Sequence, residues 1–130
     1  MRTAFEIVKS HYDANDRRDL DGMLADIAED CRWTEMDGFP CAGTYVGPQA
    51  IVENVFAALG SAWDDYTFTL QRLLDAGDDV VAIGNYTARC KATGKAMNVR
   101  VVHVWCVADG KIRRFEQFTD TLRVAEAMRA

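Results

Sequence analysis

Val99-Arg100-Val101-Val102-His103-Val104-Trp105-Cys106-Val107-Ala108, then Asp109-Gly110, then Lys111-Ile112-Arg113-Arg114-Phe115-Glu116-Gln117-Phe118, is the stretch that decides the fold. Both runs are rich in β-branched and aromatic residues, and Asp-Gly between such runs signals a two-residue hairpin turn. The spacing predicts strands over about 96–108 and 111–120. A two-residue turn fixes the facing pairs, because one residue of slip exchanges the two faces. His103 then faces Glu116, Val101 faces Phe118, Trp105 faces Arg114 and Val99 faces Asp120. Working outward, Thr93-Gly94 is read as the preceding turn and Gly77-Asp78 as the one before it, giving strands over 79–91 and 66–75. That register sets His103 opposite Gly84 and Val101 opposite Tyr86.

One sheet face then carries Gly84, Tyr86, Val99, Val101, His103, Trp105, Glu116, Phe118 and Asp120. Apolar and aromatic walls with a few titratable groups are what a small-molecule pocket requires. The other face carries Val81, Ile83, Val102, Val104, Cys106, Phe115 and Gln117. A sheet apolar on both sides needs a second cover, and a homodimer through the convex face at Ile83, Val102 and Val104 is the expected one.

The N-terminal half is helical in period. Residues 4–15 place Ile7, Val8, His11 and Tyr12 on one apolar arc. Asp19 suits the N-cap of a second helix carrying Leu20, Met23, Leu24 and Ile27, and Gly47-Pro48 opens a third that ends near Gly60. Between them, Cys31 to Met36 alternates as a short strand with Cys31, Trp33 and Glu35 on one face. A short helix over 121–129 closes the chain. Helices followed by strands read as one α+β domain over 1–130: a curved antiparallel sheet wrapped on N-terminal helices into a cone open at one end.

The composition excludes several function classes. With 130 residues, 49% hydrophobic, 27% charged and a formal charge of −5, the chain has no basic stripe for nucleic acid. No apolar run approaches a membrane span, and the first residues carry no signal-peptide pattern, so the cytoplasm is the expected compartment. The four cysteines, Cys31, Cys41, Cys90 and Cys106, form no CxxC pair, which fits buried thiols better than a zinc site. Neither a phosphate-cradling glycine loop nor a metal cluster is present, so no cofactor or metal is expected.

Three further segments carry a family resemblance: Asp19-Leu20-Asp21-Gly22 followed by Trp33; Gly43-Thr44-Tyr45-Val46-Gly47-Pro48-Gln49-Ala50-Ile51; and His103-Val104-Trp105 with Asp109-Gly110-Lys111-Ile112 and Phe118-Thr119-Asp120-Thr121. On these the chain resembles the SnoaL-like branch of the nuclear-transport-factor-2-like superfamily, which includes ketosteroid isomerases, polyketide cyclases and limonene epoxide hydrolases. The resemblance implies the cone fold. It also implies that the isomerases' general-base aspartate falls on Glu35, their oxyanion-hole tyrosine on His11 with Tyr12 beside it, and their neutral aspartic acid near His103. The cyclases' catalytic aspartate falls near Asp120. Epoxide hydrolysis matches less well, because the neighbouring strand offers only Arg100, on the other face, and His103.

Two chemistries remain open for these residues. In the first, a carboxylate, Asp120 or Glu35, removes a carbon-bound proton beside a carbonyl, and His103, held by Glu116, hydrogen-bonds the developing enolate oxygen. His11, Tyr12, Trp33, Tyr86, Val101, Trp105 and Phe118 would then contact a small hydrophobic substrate. In the second, the same walls bind a hydrophobic metabolite without chemistry. A carboxylate buried beside His103 favours the first; carboxylates in solvent or engaged as helix caps favour the second. The cyclase-like motif makes Asp120 the expected base, more sensitive to substitution than Glu35.

Overall fold

The computed structural model describes all of residues 1–130. Helix α1 (Ala4–Asp16) opens on a capping box. The Thr3 hydroxyl accepts from the Glu6 N–H while the Glu6 carboxylate accepts from the Thr3 N–H. Helix α2 (Leu20–Leu24) is capped by Asp19, which accepts from the Gly22 N–H at 3.0 Å. Strands β1 (Ile27–Glu35) and β2 (Gly43–Val46) follow. A helical segment then runs without interruption through α3 (Pro48–Ile51), a π-helical turn (Val52–Phe56) and α4 (Ala57–Ala62). Strands β3 (Trp63–Ala76), β4 (Asp79–Cys90), β5 (Ala96–Ala108) and β6 (Lys111–Thr119) lead into helix α5 (Thr121–Met128).

The six strands form one sheet in the order β2-β1-β6-β5-β4-β3. It is antiparallel except where β1 lies parallel to β6, with Trp33 beside Phe115. The sequence reading carried the second helix through Ile27; instead α2 stops at Leu24 with Leu20 exposed, Ile27 starts β1 and pairs with Ile112, and β2, to which the sequence reading assigned no element, pairs with β1. The sheet curves at irregularities in β3, between Asp64 and Thr67 and between Leu70 and Arg72. Gly84 sits at the tightest approach: a Cβ there would lie 2.2 Å from the Thr69 carbonyl oxygen and 2.8 Å from the Phe68 ring. Only glycine lets Phe68 fold over the strand at that point.

The hairpin that decides the fold forms as expected at its tip, with Ala108 opposite Lys111 and Val107 opposite Ile112. One residue further, the register shifts and Cys106 faces Arg114, so Arg113 is an extra residue on β6. Beyond this bulge every expected pair moves by one: His103 faces Gln117, Val104 faces Glu116, Trp105 faces Phe115 and Val102 faces Phe118. The slip corrects the faces of β6. Phe115 and Gln117 turn into the core at 3% and 0% exposure, whereas Glu116 is exposed and Phe118 is 43% exposed on the convex side. Arg114, expected against Trp105, is exposed beside Cys106.

The β4–β5 turn also differs, but harmlessly. Arg89 pairs with Ala96 and the Cys90 N–H donates to the Lys95 carbonyl, so the loop is longer than Thr93-Gly94. The resulting shift is two residues, which keeps every side chain on its face: His103 lies opposite Ala82, Val101 opposite Gly84 and Val99 opposite Tyr86. The core fills the concave side, where Ile7, Val8, Val80, Val99, Val101, Trp105 and Ile112 are almost wholly buried. No helix is long and apolar enough to cross a membrane.

Candidate functional site

Between the concave sheet face and the helices lies a cavity of about 280 Å³. Trp33, Trp105 and Phe115 form one wall, with Trp33 and Phe115 stacked at 3.8 Å between ring centroids and Trp105 edge-on to both. Phe56 and Leu59 from the helical segment and Phe68 from β3 form the other. The π-helical turn widens the helix where Val55 and Phe56 face inward, a frequent use of such turns at ligand sites. Asn15, Leu20, Met23, Gly60 and Tyr66 are shared with a wider, more polar surface hollow of about 630 Å³ that adds Asp16, Arg18, Asp64, Asp65 and Lys91. The cavity therefore opens between α1–α2 and the start of β3.

Polar groups are few and placed. β1 delivers Glu35, 3% exposed, with Oε1 at 3.5 Å from the Trp33 indole N–H and Oε2 without any partner. Burial among these rings pushes its carboxyl up to about 8, the Trp33 contact opposing only in part. β5 delivers His103, 6% exposed, whose Nδ1 lies 2.6 Å from the Tyr12 hydroxyl and whose Nε2 lies 2.7 Å from the Tyr86 hydroxyl. The Trp105 indole N–H donates to the Tyr12 oxygen at 2.9 Å, and the Gln117 amide donates to the Tyr86 oxygen at 2.8 Å. Burial lowers His103 to about 3, so the ring is neutral at physiological pH. His11 is lowered to about 4 by burial and donates Nδ1–H to the Met23 carbonyl at 2.9 Å. Burial holds Tyr12, Tyr66 and Tyr86 well above the usual phenol range. Glu35 is thus the one carboxyl at the cavity, and no lysine or arginine lines it.

The structure brings His11, Tyr12, Trp33, Glu35, Tyr86, His103 and Trp105 to this cavity. Four expected site residues lie elsewhere. Val101 is buried behind the wall at 1% exposure, and Glu116 and Phe118 point outward because of the bulge at Arg113. Asp120 caps α5, accepting from the Arg123 N–H at 3.2 Å and pairing with its guanidinium at 3.4 Å. His103 is consequently held by Tyr12 and Tyr86, with both ring nitrogens occupied, and not by Glu116. Tyr66, Phe68, Phe115 and Gln117 were missed. Phe115 and Gln117 carried the right alternation but were assigned to the wrong face; Tyr66 and Phe68 share a period-two face that the hairpin register did not reach.

The chain matches known proteins in family, structure and sequence. Residues 8–115 match the SnoaL-like domain. The chain superimposes over its full length on the crystal structure of an NTF2-like protein from Burkholderia thailandensis E264, covering 100% of both chains at 56% identity and a TM-score of 0.99. It also superimposes on TerC co-crystallized with polyporic acid, with 25% identity, 98% of each chain covered and a TM-score of 0.86. Among curated sequences, patulin synthesis protein F of Aspergillus clavatus is 32% identical over 95 residues, 68% of this chain and 46% of that protein. The chain spans about half the length of the curated relatives it matches.

Proposed function

The chain belongs to the SnoaL-like domain family, and we propose that it moves a proton within a small, uncharged, largely aromatic carbonyl compound held in the concave cavity, with Glu35 as the base. One observation carries this reading: a buried carboxyl with a partnerless oxygen, raised to about 8, faces an apolar cavity beside tyrosine hydroxyls. Ionised Glu35 takes a hydrogen from the carbon next to the carbonyl. The C–H pair becomes the C=C of an enolate, and the carbonyl π pair moves to oxygen, where a hydroxyl donates to it. Where a C=C is conjugated with the enolate, its far carbon recovers the proton from Glu35 and the double bond shifts by one position, an isomerisation; otherwise the enolate carbon attacks a second carbonyl of the same molecule. In that cyclisation the new alkoxide takes the Glu35 proton, so neither route consumes a cofactor. The patulin-synthesis name of a relative supports small-molecule biosynthetic chemistry, and the TerC complex with polyporic acid supports binding of a small organic molecule by a chain of this shape.

The test is deuterium exchange. 2-Tetralone, a bicyclic aromatic ketone with acidic hydrogens beside the carbonyl, is incubated with the protein in D2O and followed by NMR. Exchange above background, rising about tenfold from pH 7 to well above pH 8 as Glu35 ionises, is expected. Binding of tetralone without exchange at any pH favours the non-catalytic reading, in which protonated Glu35 serves only as a hydrogen-bond donor.

Homodimerisation through the convex face belongs to the same proposal. Ile83, Val102 and Val104 are half-buried while their strand neighbours are buried, and Leu74 and Phe118 on that side are 37% and 43% exposed. Sedimentation at micromolar concentration is expected to give twice the 14.5 kDa chain mass, falling to the monomer in Val104→Asp. A wild-type monomer overturns it.

A further inference from the structure

We propose that His103 is a neutral Nε2–H positioning residue whose hydrogen bonds free one hydroxyl proton, that of Tyr86, for the oxygen of the bound carbonyl compound. This rests on the proton-transfer reading of the cavity and assigns its hydrogen-bond donor.

Four contacts join Trp105, Tyr12, His103, Tyr86 and Gln117. The indole N–H and the Gln117 amide donate to the two tyrosine oxygens. A neutral imidazole has one N–H and one acceptor nitrogen, so it accepts from one tyrosine and donates to the other. The tyrosine that donates to His103 has used its proton. The other accepts twice, and its own proton has no place in the chain. One tyrosine proton is left over whichever tautomer is present.

Its location follows from where an acceptor waits. Two buried side-chain oxygens are free to accept: Glu35 Oε2, which has no partner and accepts once the carboxyl is ionised, and the Tyr66 hydroxyl, whose one neighbouring hydroxyl is that of Tyr86. Both lie on the Tyr86 side: the Tyr66 and Tyr86 ring centroids are 5.1 Å apart, and the charge of Glu35 acts on both rings. The Tyr12 hydroxyl has its hydrogen bonds to Trp105 and His103, and neither of these free oxygens acts on it. Both tyrosines line the cavity, but a surplus proton on Tyr12 would find neither of these acceptors, whereas on Tyr86 it lies on the side of Glu35 and Tyr66, where a ligand oxygen would sit. Tyr12 therefore donates to Nδ1 and Nε2–H donates to Tyr86. With hydrogen bonds from Gln117 and His103 on its oxygen, the Tyr86 hydroxyl is polarised towards donation. Trp105 and Tyr12 act on the Tyr86 proton only through His103.

The assignment makes the two histidines opposite tautomers, because the Met23 carbonyl can only accept and fixes His11 as Nδ1–H. Long-range ¹H–¹⁵N NMR on wild-type protein with labelled histidine at pH 7 reads this directly. One Nδ1–H ring and one Nε2–H ring are expected, and in His11→Gln only the Nε2–H ring should remain. An Nδ1–H pattern for His103 overturns the proposal, whatever the activity. The second arm compares 2-tetralone with tetralin, the same bicycle lacking the carbonyl. The wild-type preference for the ketone should fall about tenfold in Tyr86→Phe, as for a lost hydrogen bond in an enclosed site. An unchanged preference overturns the Tyr86 assignment. Failure of both compounds to bind would remove the cavity reading instead, and the tautomer would still decide the role of His103.

Discussion

Glu35→Gln is expected to lower deuterium exchange of 2-tetralone by ~10²–10⁴-fold, the usual cost of losing a general base, while making the protein more stable in alkali. Both effects come from one carboxyl. In the folded protein Glu35 holds its proton to about pH 8, against an ordinary value of 4.5. Between those two pH values the unfolded chain has released a proton that the folded chain keeps. Raising the pH through the window therefore favours unfolding, and stability that is intact below pH 4.5 is lost progressively up to pH 8. His11 and His103 work in the opposite sense. Their folded values of about 4 and about 3 lie below the ordinary 6.5, so stability is lost as pH falls from 6.5 towards them. With two histidines gaining and one carboxyl losing, the net slope is positive up to about pH 6.5 and negative from there to pH 8. The wild-type melting temperature should peak near pH 6.5. Glutamine keeps the shape of the protonated acid and cannot ionise, so the variant should match wild type at pH 5 and exceed it by several degrees at pH 8.5. Equal melting curves at pH 8.5 would mean that Glu35 is not held protonated by burial. Asp120→Asn serves as the contrast. Its carboxylate caps α5 at the surface, and the amide keeps a capping oxygen, so turnover should be unaffected and the stability loss about 1 kcal/mol or less. The order of sensitivity is thus the reverse of the one the motif around Asp120 suggested.

Trp105→Ala should be the most damaging single substitution for folding, by about 3–5 kcal/mol in urea denaturation. The side chain is 1% exposed and meets Trp33, Phe115 and His11 at ring distances of 5.5, 4.7 and 4.7 Å. Truncation leaves a void between the sheet and α1 that these rigid rings cannot collapse to fill. It also strips the Tyr12 oxygen of its buried donor. Against a total stability of about 5–15 kcal/mol for a domain of this kind, such a loss consumes a large share of the margin. Trp105→Phe isolates the second effect. It keeps most of the apolar volume, so a cost nearer 1–2 kcal/mol is expected, from the lost hydrogen bond and a small gap. If the alanine variant cost no more than the phenylalanine variant, the ring cluster would not be the keystone of the concave wall.

Much of this molecule could be read directly from its residues. The periods of 3.6 and 2 located the buried faces of the first and third helical segments and the four long strands, because burial of one face is a local property of the pattern; the second helix departs from it, with Leu20 44% exposed and Ile27 in β1. The Asp109-Gly110 turn fixed the tip of the hairpin, and the alternation Cys31, Trp33, Glu35 placed a carboxyl inside. His103 and Tyr86 landed on the correct face even though the β4–β5 loop was misjudged, since an even shift preserves the face. Tertiary structure alone decided three other matters. The bulge at Arg113 exchanged Glu116 for Gln117 beside His103, a one-residue event whose energy comes from sheet curvature and which no local preference announces. The parallel pairing of β1 with β6 brought Trp33 onto Phe115 across a long stretch of chain. The fate of the two candidate carboxylates depended on surroundings as well as type: Glu35 is closed in among rings, while Asp120 found backbone N–H groups at a helix start. A carboxyl's chemistry is set by solvation and partners, and those exist only once the chain has closed around it.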